Sequence, residues 1–303
     1  MSLRINIISN IHNGSGLQKD YEILKSELES MGHTVTGVDY LKIPLIASLG
    51  VADLNLWLEV AQPLQLFKFA KRNWLIPNPE WWRPQWDAKK FDRILCKTQD
   101  AHCVFSTINP NCEVVGFMSI DRQVRVEKRL EFLHVAGKSP FKNTVEIVEA
   151  WRSKHIPYRL TLVGLWSFPT IDGIRYLKSV PGEDLSHLYS MCAFHLCLSE
   201  YEGWGHYIHE GLSAGGIVIT TDSPLMRDFD FPGRLMVRSA FNRRHLLGDM
   251  YKPVNVQAVI DKVLQVADMP SSEVERLSAA SRARYEDEVL NFRVQLAEQL
   301  DRL

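Results

Sequence analysis

Two carboxylates separated by seven residues, Glu202 and Glu210, carry the strongest chemical signal in the chain. They sit in SEYEGWGHYIHEGLSAGGIVITTD, residues 199–222, which reads as a turn, a small-residue helix, a Gly-rich turn and a β-branched strand. Glu202 lies in a turn just after the apolar run FHLCLS, and Glu210 follows about two turns into the helix. Gly203 and Gly205 let the backbone approach a ligand closely. The first N–H groups of the helix, at its positive dipole end, suit a bound phosphate, and Glu210 is expected to face the same mouth as Glu202. An acid near a helix start also stabilises the helix without any ligand. It is the combination with EGWG and the strand GIVITTD that is not generic.

This stretch resembles the signature of retaining glycosyltransferases of the GT-B fold, the group 1 glycosyltransferase-like proteins. The matching residues are Glu202, Gly203, Trp204, Gly205, Glu210, Gly215, Gly216 and Thr220 to Asp222. The family usually has Pro in the first turn of this helix, where this chain has His206 and Tyr207. The resemblance implies an α/β architecture: two Rossmann-like, doubly wound parallel-sheet domains facing a cleft, with a C-terminal helix crossing back. It implies an N-terminal acceptor-side domain over 1–122, a donor domain over 123–280 and a terminal helix over 281–303.

Composition sets outer bounds. The chain has 303 residues, 46% of them hydrophobic and 23% charged, values of a folded globular protein large enough for two cores. With 35 basic and 36 acidic side chains the net charge is −1, so no global field draws it to nucleic acid or anionic lipid. The five cysteines form no CxxC pair, which fits reduced thiols and a cytoplasmic location. No signal peptide is recognised, and the longest apolar run, near Ile43 to Ala52, contains Pro44 and is too short to span a bilayer. Any membrane contact is expected to be peripheral.

The elements that must position the acids follow in order. Arg4 to Ser9 is a strand, NIHNGSGLQKD a Gly loop, YEILKSELESMG an amphipathic helix and HTVTGVDY a second strand, a βαβ opening. Gly14, Gly16 and Asp39 invite a dinucleotide reading, but Lys19 occupies the third glycine position and the fingerprint is incomplete. DLNLWLEV, NWLIP, DRILCKT and CEVVGF supply further strands, expected in a parallel sheet. NPEWWRPQWDAKKFDR places Trp81, Trp82 and Trp86 among Arg83, Lys89, Lys90 and Arg93 at a strand's carboxyl end. An acceptor platform, an interfacial anchor and simple packing are all open readings of it. Charge rises and periodicity fades over MSIDRQVRVEKRLEF, which marks the boundary. A second α/β series follows: EFLHVAG and its helix, YRLTLVG, a helix over 183–191, FHLCLS, GIVITTD, RLMVRS, a helix over 254–266 and a long terminal helix. His187, Cys192, His195 and Cys197 match no zinc spacing, and no metal is expected.

The resemblance assigns roles residue by residue. Lys138 and Lys142 stand where the family neutralises the donor diphosphate; two ammonium groups beside a helix start would make such a site on physical grounds as well. Gly164 and Val180 would lie near the nucleotide base. Gly203, Trp204, Gly205, His206 and the helix start would hold the donor, Glu210 would accept from ribose hydroxyls, and Glu202 would bind the sugar. Gly14, Ser15, Gly16, Asn78, Lys97 and Thr98 are acceptor-side or cleft candidates, and His12 and Glu80 are further catalytic candidates. The implied function is hexosyl-type transfer from a UDP- or GDP-linked sugar to an unidentified acceptor (a glycan, a lipid, a small molecule or, with less support from the charge, nucleic acid), with anomeric retention and no cofactor. A GT-B epimerase or phosphorylase, and a protein that binds nucleotide or glycan without turnover, are the alternatives.

Overall fold

The structure, a computed structural model, describes residues 2–14, 16–42, 50–83, 85–229, 231–233, 235–239, 242–245, 248–251 and 254–303. Ser15 therefore lies outside the described residues, as does most of the apolar run that begins at Ile43. The chain folds as two compact units, one of residues 1–119 with 288–303 and one of residues 120–287.

In the first unit, β1 (Arg4–Ser9), α1 (Gly16–Ser30), β2 (Thr34–Asp39), β3 (Ala52–Leu58), β4 (Ala70–Ile76), β5 (Arg93–Cys96), α2 (Gln99–Phe105) and β6 (Cys112–Val114) follow in order. The strands form one parallel sheet, β2-β1-β3-β4-β5-β6. Strand order reverses between β1 and β3, and ligands in such sheets bind outside the carboxyl ends at that point. Three buried asparagines fix the register there. Asn6, Asn55 and Asn73 occupy paired positions on β1, β3 and β4 and are linked amide to amide at 2.9 Å each. Asn73 also accepts from the Trp57 indole at 3.0 Å. A one-residue slip would break every link in this ladder, so it specifies pairing as well as filling hydrogen bonds.

The second unit repeats the plan with β7 (Arg129–Gly137), α3 (Thr144–Ser153), β8 (Leu160–Gly164), β9 (Ile174–Leu177), α4 (Gly182–Met191), β10 (Cys192–Cys197), α5 (His206–Ser213), β11 (Ile217–Asp222) and β12 (Met236–Arg238). A hairpin of β13 (Asn242–His245) and β14 (Gly248–Tyr251), then α6 (Val256–Ala267) and α7 (Ser271–Asp301), complete the chain. Its parallel sheet runs β12-β11-β10-β7-β8-β9, with the reversal between β7 and β10. Alternation along β7 serves both faces: Phe132 joins Ile147, Trp151, Phe194 and Val263 in one core, and Leu133 joins Val163, Leu188 and Tyr189 in the other. α7 is a single helix whose residues up to 287 belong to the second unit and whose residues from 288 belong to the first. Its Arg293 holds Glu27 of α1 through two hydrogen bonds, at 2.7 and 2.8 Å. Its Ser278 and Arg282 bond the carbonyls of Gly215 and Ser213, closing the end of α5.

Two histidines are buried within this second sheet. His134 bridges the Leu196 carbonyl at 2.7 Å and the Thr144 hydroxyl at 3.0 Å, and His195 fills the space left by Gly211 and Gly216, where a Cβ would lie 2.7 and 2.6 Å from its ring. Burial pushes both imidazoles down to about 4. Each is therefore neutral in the fold while the unfolded chain takes up its proton first, so stability falls as pH drops below ~6.5, by up to ~1.4 kcal/mol per pH unit for each histidine. Urea melts at pH 7.0, 6.0 and 5.0 are expected to show this loss. The His134→Gln variant is expected to be less stable at pH 7 but to lose less on acidification, by about one proton's worth of slope; parallel pH curves for the two proteins would refute the assignment.

Candidate active site

The loops leaving β7 and β10 flank the reversal of the second sheet, and Asn143 ties them together. It sits in the left-handed region, φ 51°, at the start of α3. Its side-chain amide donates to the Leu198 carbonyl at 2.6 Å and its oxygen accepts from the Val254 N–H at 3.2 Å. Two residues along each loop, the Glu200 N–H donates to the Phe141 carbonyl at 2.8 Å. Between these two ties stands Lys142, whose placement relative to the β10 loop is therefore set by backbone and amide contacts rather than by its own flexible stem.

Lys142 Nζ donates to the Val135 carbonyl at 3.1 Å and lies 3.7 Å above the centre of the Tyr207 ring. The Tyr207 hydroxyl is 2.6 Å from Ser199 Oγ, which in turn donates to Glu202 Oε1 at 2.5 Å. A serine hydroxyl has one proton, so Tyr207 must be the donor to Ser199, giving a directed chain from phenol to serine to carboxylate. Burial first, and then its neighbours Cys197 and Glu202, push the Tyr207 phenol well above its ordinary value, which keeps that donor proton in place. Two of the expected site residues, Glu202 and Lys142, are thus brought together through Ser199 and Tyr207.

The turn between the two acids is built for close packing. Gly205 has φ 73°, and a Cβ there would sit 2.7 Å from Ile208 and 3.3 Å from Glu202, so only glycine fits. The Trp204 indole stacks on the His209 ring, with centroids 3.8 Å apart and planes within 2°. Gly203, Trp204 and Gly205 are buried, and His206, the first residue of α5, is partly exposed. Glu210 lies on the same helix with 1% of its surface exposed. Its Oε1 pairs with Arg122 Nη2 at 3.3 Å, and the Arg122 guanidinium also reaches the Gly182 carbonyl and Ser186 of α4. The Arg122 backbone is anchored on both sides: its N–H donates to Ser213 Oγ at 2.8 Å, and the Ser190 hydroxyl donates to its carbonyl at 3.0 Å. Burial and then the Glu210 charge push the neighbouring Tyr189 phenol well above its ordinary value.

The remaining donor-side candidates are spread around this centre. Lys138 is exposed on the loop directly after β7. Gly164 ends β8, where a Cβ would meet Ala136 at 3.0 Å, and its carbonyl accepts from Tyr176 at 2.6 Å. Val180 packs at the edge of the Leu188 and Tyr189 cluster. Among the described residues no group of His, Cys, Asp and Glu could hold a metal ion, and His195 and Cys197 are core residues of β10.

In the first unit the carboxyl ends of β3, β4 and β5 hold a second polar chain. Lys97 is buried, donates to Asp20 Oδ2 at 2.6 Å and to Asn78 Oδ1 at 3.0 Å, and lies over the Phe117 ring. Asn78 passes the chain on, donating to Glu59 Oε2 at 3.0 Å. Glu59 is half-buried at φ 67°, a backbone state that a non-glycine residue occupies only when its surroundings enforce it. Burial pushes its carboxyl up against the opposing pull of the Asn78 hydrogen bond and the Lys97 charge. Thr98 caps α2 by accepting from the Ala101 N–H at 3.2 Å. His12 and Gly14 are exposed on the β1–α1 loop and Gly16 at the first position of α1, and Glu80 is half-buried in the short turn Pro79–Trp81. Of the tryptophans, Trp82 is buried edge-on against Phe105 and Trp86, whereas Trp81 is 54% exposed.

Sequence reasoning missed Ser199, Asn143, Arg122, Asp20 and Glu59. Ser199 and Asn143 stood next to named motifs, and a serine three residues before an acid in a turn was a usable signal. Arg122, distant in sequence from Glu210 and set in a charged boundary segment, carried none.

The profile of the family described as Glycosyl transferases group 1 matches residues 118–284, more than half of the chain. The chain belongs to that family, and its fold is that of the GT-B glycosyltransferases. It is similar in structure to Anabaena Alr3699/HepE, crystallised with UDP and glucose, with TM-score 0.72 and 13% identity over 99% of this chain and 100% of that one. The sucrose-phosphate synthase of Thermosynechococcus elongatus is similar with TM-score 0.73 and 14% identity over 99% and 98%. A glycosyltransferase of Rickettsia africae is similar with TM-score 0.69 and 12% identity over 99% and 97%. No curated protein matches the sequence. No described helix is long and apolar enough to cross a membrane.

The buried Arg122–Glu210 pair generates a stability prediction. Removing one partner leaves the other's charge buried, a loss of ~3–5 kcal/mol, whereas removing both leaves none. Arg122→Met is expected to lower the urea midpoint sharply, and adding Glu210→Gln is expected to recover part of it; strictly additive effects would show that the pair is not coupled.

Proposed function

We propose that this glycosyltransferase moves a sugar from a UDP- or GDP-linked donor to a hydroxyl acceptor, with retention of anomeric configuration and without a metal. The observation that carries the reading is the juxtaposition of Lys142 and Glu202 at the sheet's reversal, with Glu210 on the helix that begins four residues after Glu202. The UDP and glucose in the similar Anabaena protein support the donor class.

In this reading the donor diphosphate lies by Lys142 and Lys138 at the opening turn of α5. As the sugar–oxygen bond breaks, negative charge builds on the diphosphate, and a fixed ammonium with oriented backbone N–H groups stabilises it there without reorganising. This cationic seat is what supports metal independence. Glu202, held by Ser199, accepts from sugar hydroxyls and fixes the ring against the leaving group. Glu210 receives the ribose hydroxyls on the face where Arg122 now bonds it. Retention follows if the leaving phosphate oxygen takes the acceptor proton on the face it departs from. On the acceptor side, Glu59 is the group that the Asp20–Lys97–Asn78 chain presents, a carboxylate suited to accept from an acceptor hydroxyl. Lys97 and Asn78 then position it rather than touch substrate, and the exposed Trp81 is a surface on which a sugar ring could stack.

Three measurements test this. Nucleoside diphosphates at ~100 times Kd are expected to add ~2.7 kcal/mol to stability in a melting series; a panel without response would refute the donor site. With the donor so identified, Lys142→Met is expected to reduce kcat by about 10²–10³. Proton NMR of the product is expected to show the donor's anomeric configuration; the opposite anomer would rule out retention.

A further inference from the structure

We propose that Tyr207 is the positioning residue for the Lys142 ammonium and that, through Ser199, it keeps that cation in register with Glu202. The proposal rests on the reading of Lys142 as the diphosphate contact and gives that site a part the sequence did not supply. Tyr207 occupies the first turn of α5, the turn where the resembling family carries Pro, a residue pre-organised for a helix start but without an aromatic face.

Three observations carry it. The ammonium sits 3.7 Å above the ring centre, on the negative face of the π system rather than at its edge. A ring face carries no net charge, so it holds the cation in place without neutralising it, as a carboxylate partner would. The Val135 carbonyl takes one of the three ammonium N–H groups, and it too is neutral. The ring itself cannot drift, because Tyr207 is buried and its hydroxyl is committed to Ser199 Oγ at 2.6 Å. Ser199 passes that constraint to Glu202 at 2.5 Å. One side chain therefore fixes both the cation expected at the diphosphate and, one hydroxyl further on, the acid expected at the sugar. A tyrosine serving only as filler would need neither the facing ammonium nor the directed hydroxyl chain.

The ring and the hydroxyl make separable contributions. Titration calorimetry of the full chain with UDP, GDP, UMP and GMP reads the first. Tyr207→Leu is expected to weaken the bound nucleoside diphosphate by about 2- to 30-fold while leaving the matching monophosphate within about twofold, and Tyr207→Phe, which keeps the ring, is expected to stay near wild type for both. In a Lys142→Met background the Tyr207→Leu change is expected to have no further effect on diphosphate affinity. The hydroxyl is read by turnover: Tyr207→Phe is expected to lower kcat more than donor KM, because Glu202 loses its register. Equal loss of mono- and diphosphate binding in Tyr207→Leu, or an undiminished effect of that change without Lys142, would overturn the proposal. If Tyr207→Leu does not fold, the Phe variant decides alone, and wild-type kcat in it refutes the link to Glu202. A wild type that binds neither diphosphate overturns the donor reading itself, which separates that failure from one confined to Tyr207.

Discussion

Asn143 is the contact on which the donor-side cluster depends. A left-handed residue at the start of α3 spends both faces of its amide on holding the β10 loop and the segment entering α6. Together with the Glu200 to Phe141 backbone bond, that tie keeps the loops after β7 and β10 from being two independent surface turns, free to move apart on the timescale of loop motion. With it, Lys142 and Glu202, which lie on different loops, share one fixed frame. The sheet's strand order supplies the place and the amide supplies the tolerance, and an electrostatic site needs both, because misplacement of a charged group by even 1 Å costs rate steeply.

The same economy appears in how charge is buried. Lys97 with Asp20, and Arg122 with Glu210, are ion pairs nearly closed to solvent. Each is supplemented by hydrogen bonds to further groups, the condition under which a buried pair is tolerable. Neither pair adds much net stability by itself; what each does is fix the direction of a neighbouring acid. In the first unit the pair ends on Glu59, whose backbone is held where glycine would ordinarily sit. In the second the acid is Glu210 itself, on α5.

Much of the architecture could be read from the chain because its strands are short β-branched runs bounded by glycine and polar turns, and because the alternation of strand and helix demands parallel sheets. β1, β3, β7, β8, β10 and β11 fall where the pattern put them, and α6, expected over 254–266, runs Val256–Ala267. β9 was passed over because its exposed Arg175 and Tyr176, at the sheet's edge, dilute any apolar signal. The hairpin β13–β14 and the helical turn Leu64–Phe69 also lacked a periodic signature. At the site, Glu202 and Glu210 were legible because the motif is contiguous. The chemistry that tunes them was not: Arg122 reaches Glu210 across 88 positions and Lys97 reaches Asp20 across 77, pairings that only the fold creates. Tyr207 was visible as a departure from the family pattern, but its meaning depends on where a lysine from another strand's loop comes to rest.

The central claim is that a nucleoside diphosphate binds at the loops joined by Asn143. Hydrogen–deuterium exchange of the full chain, with and without saturating UDP or GDP, tests it most directly. The account predicts slowed exchange in 137–144 and 199–210, the two loops and the opening of α5, from the nucleotide that binds. Protection confined to the β1–α1 loop of the first unit, with those two segments unchanged, would contradict it.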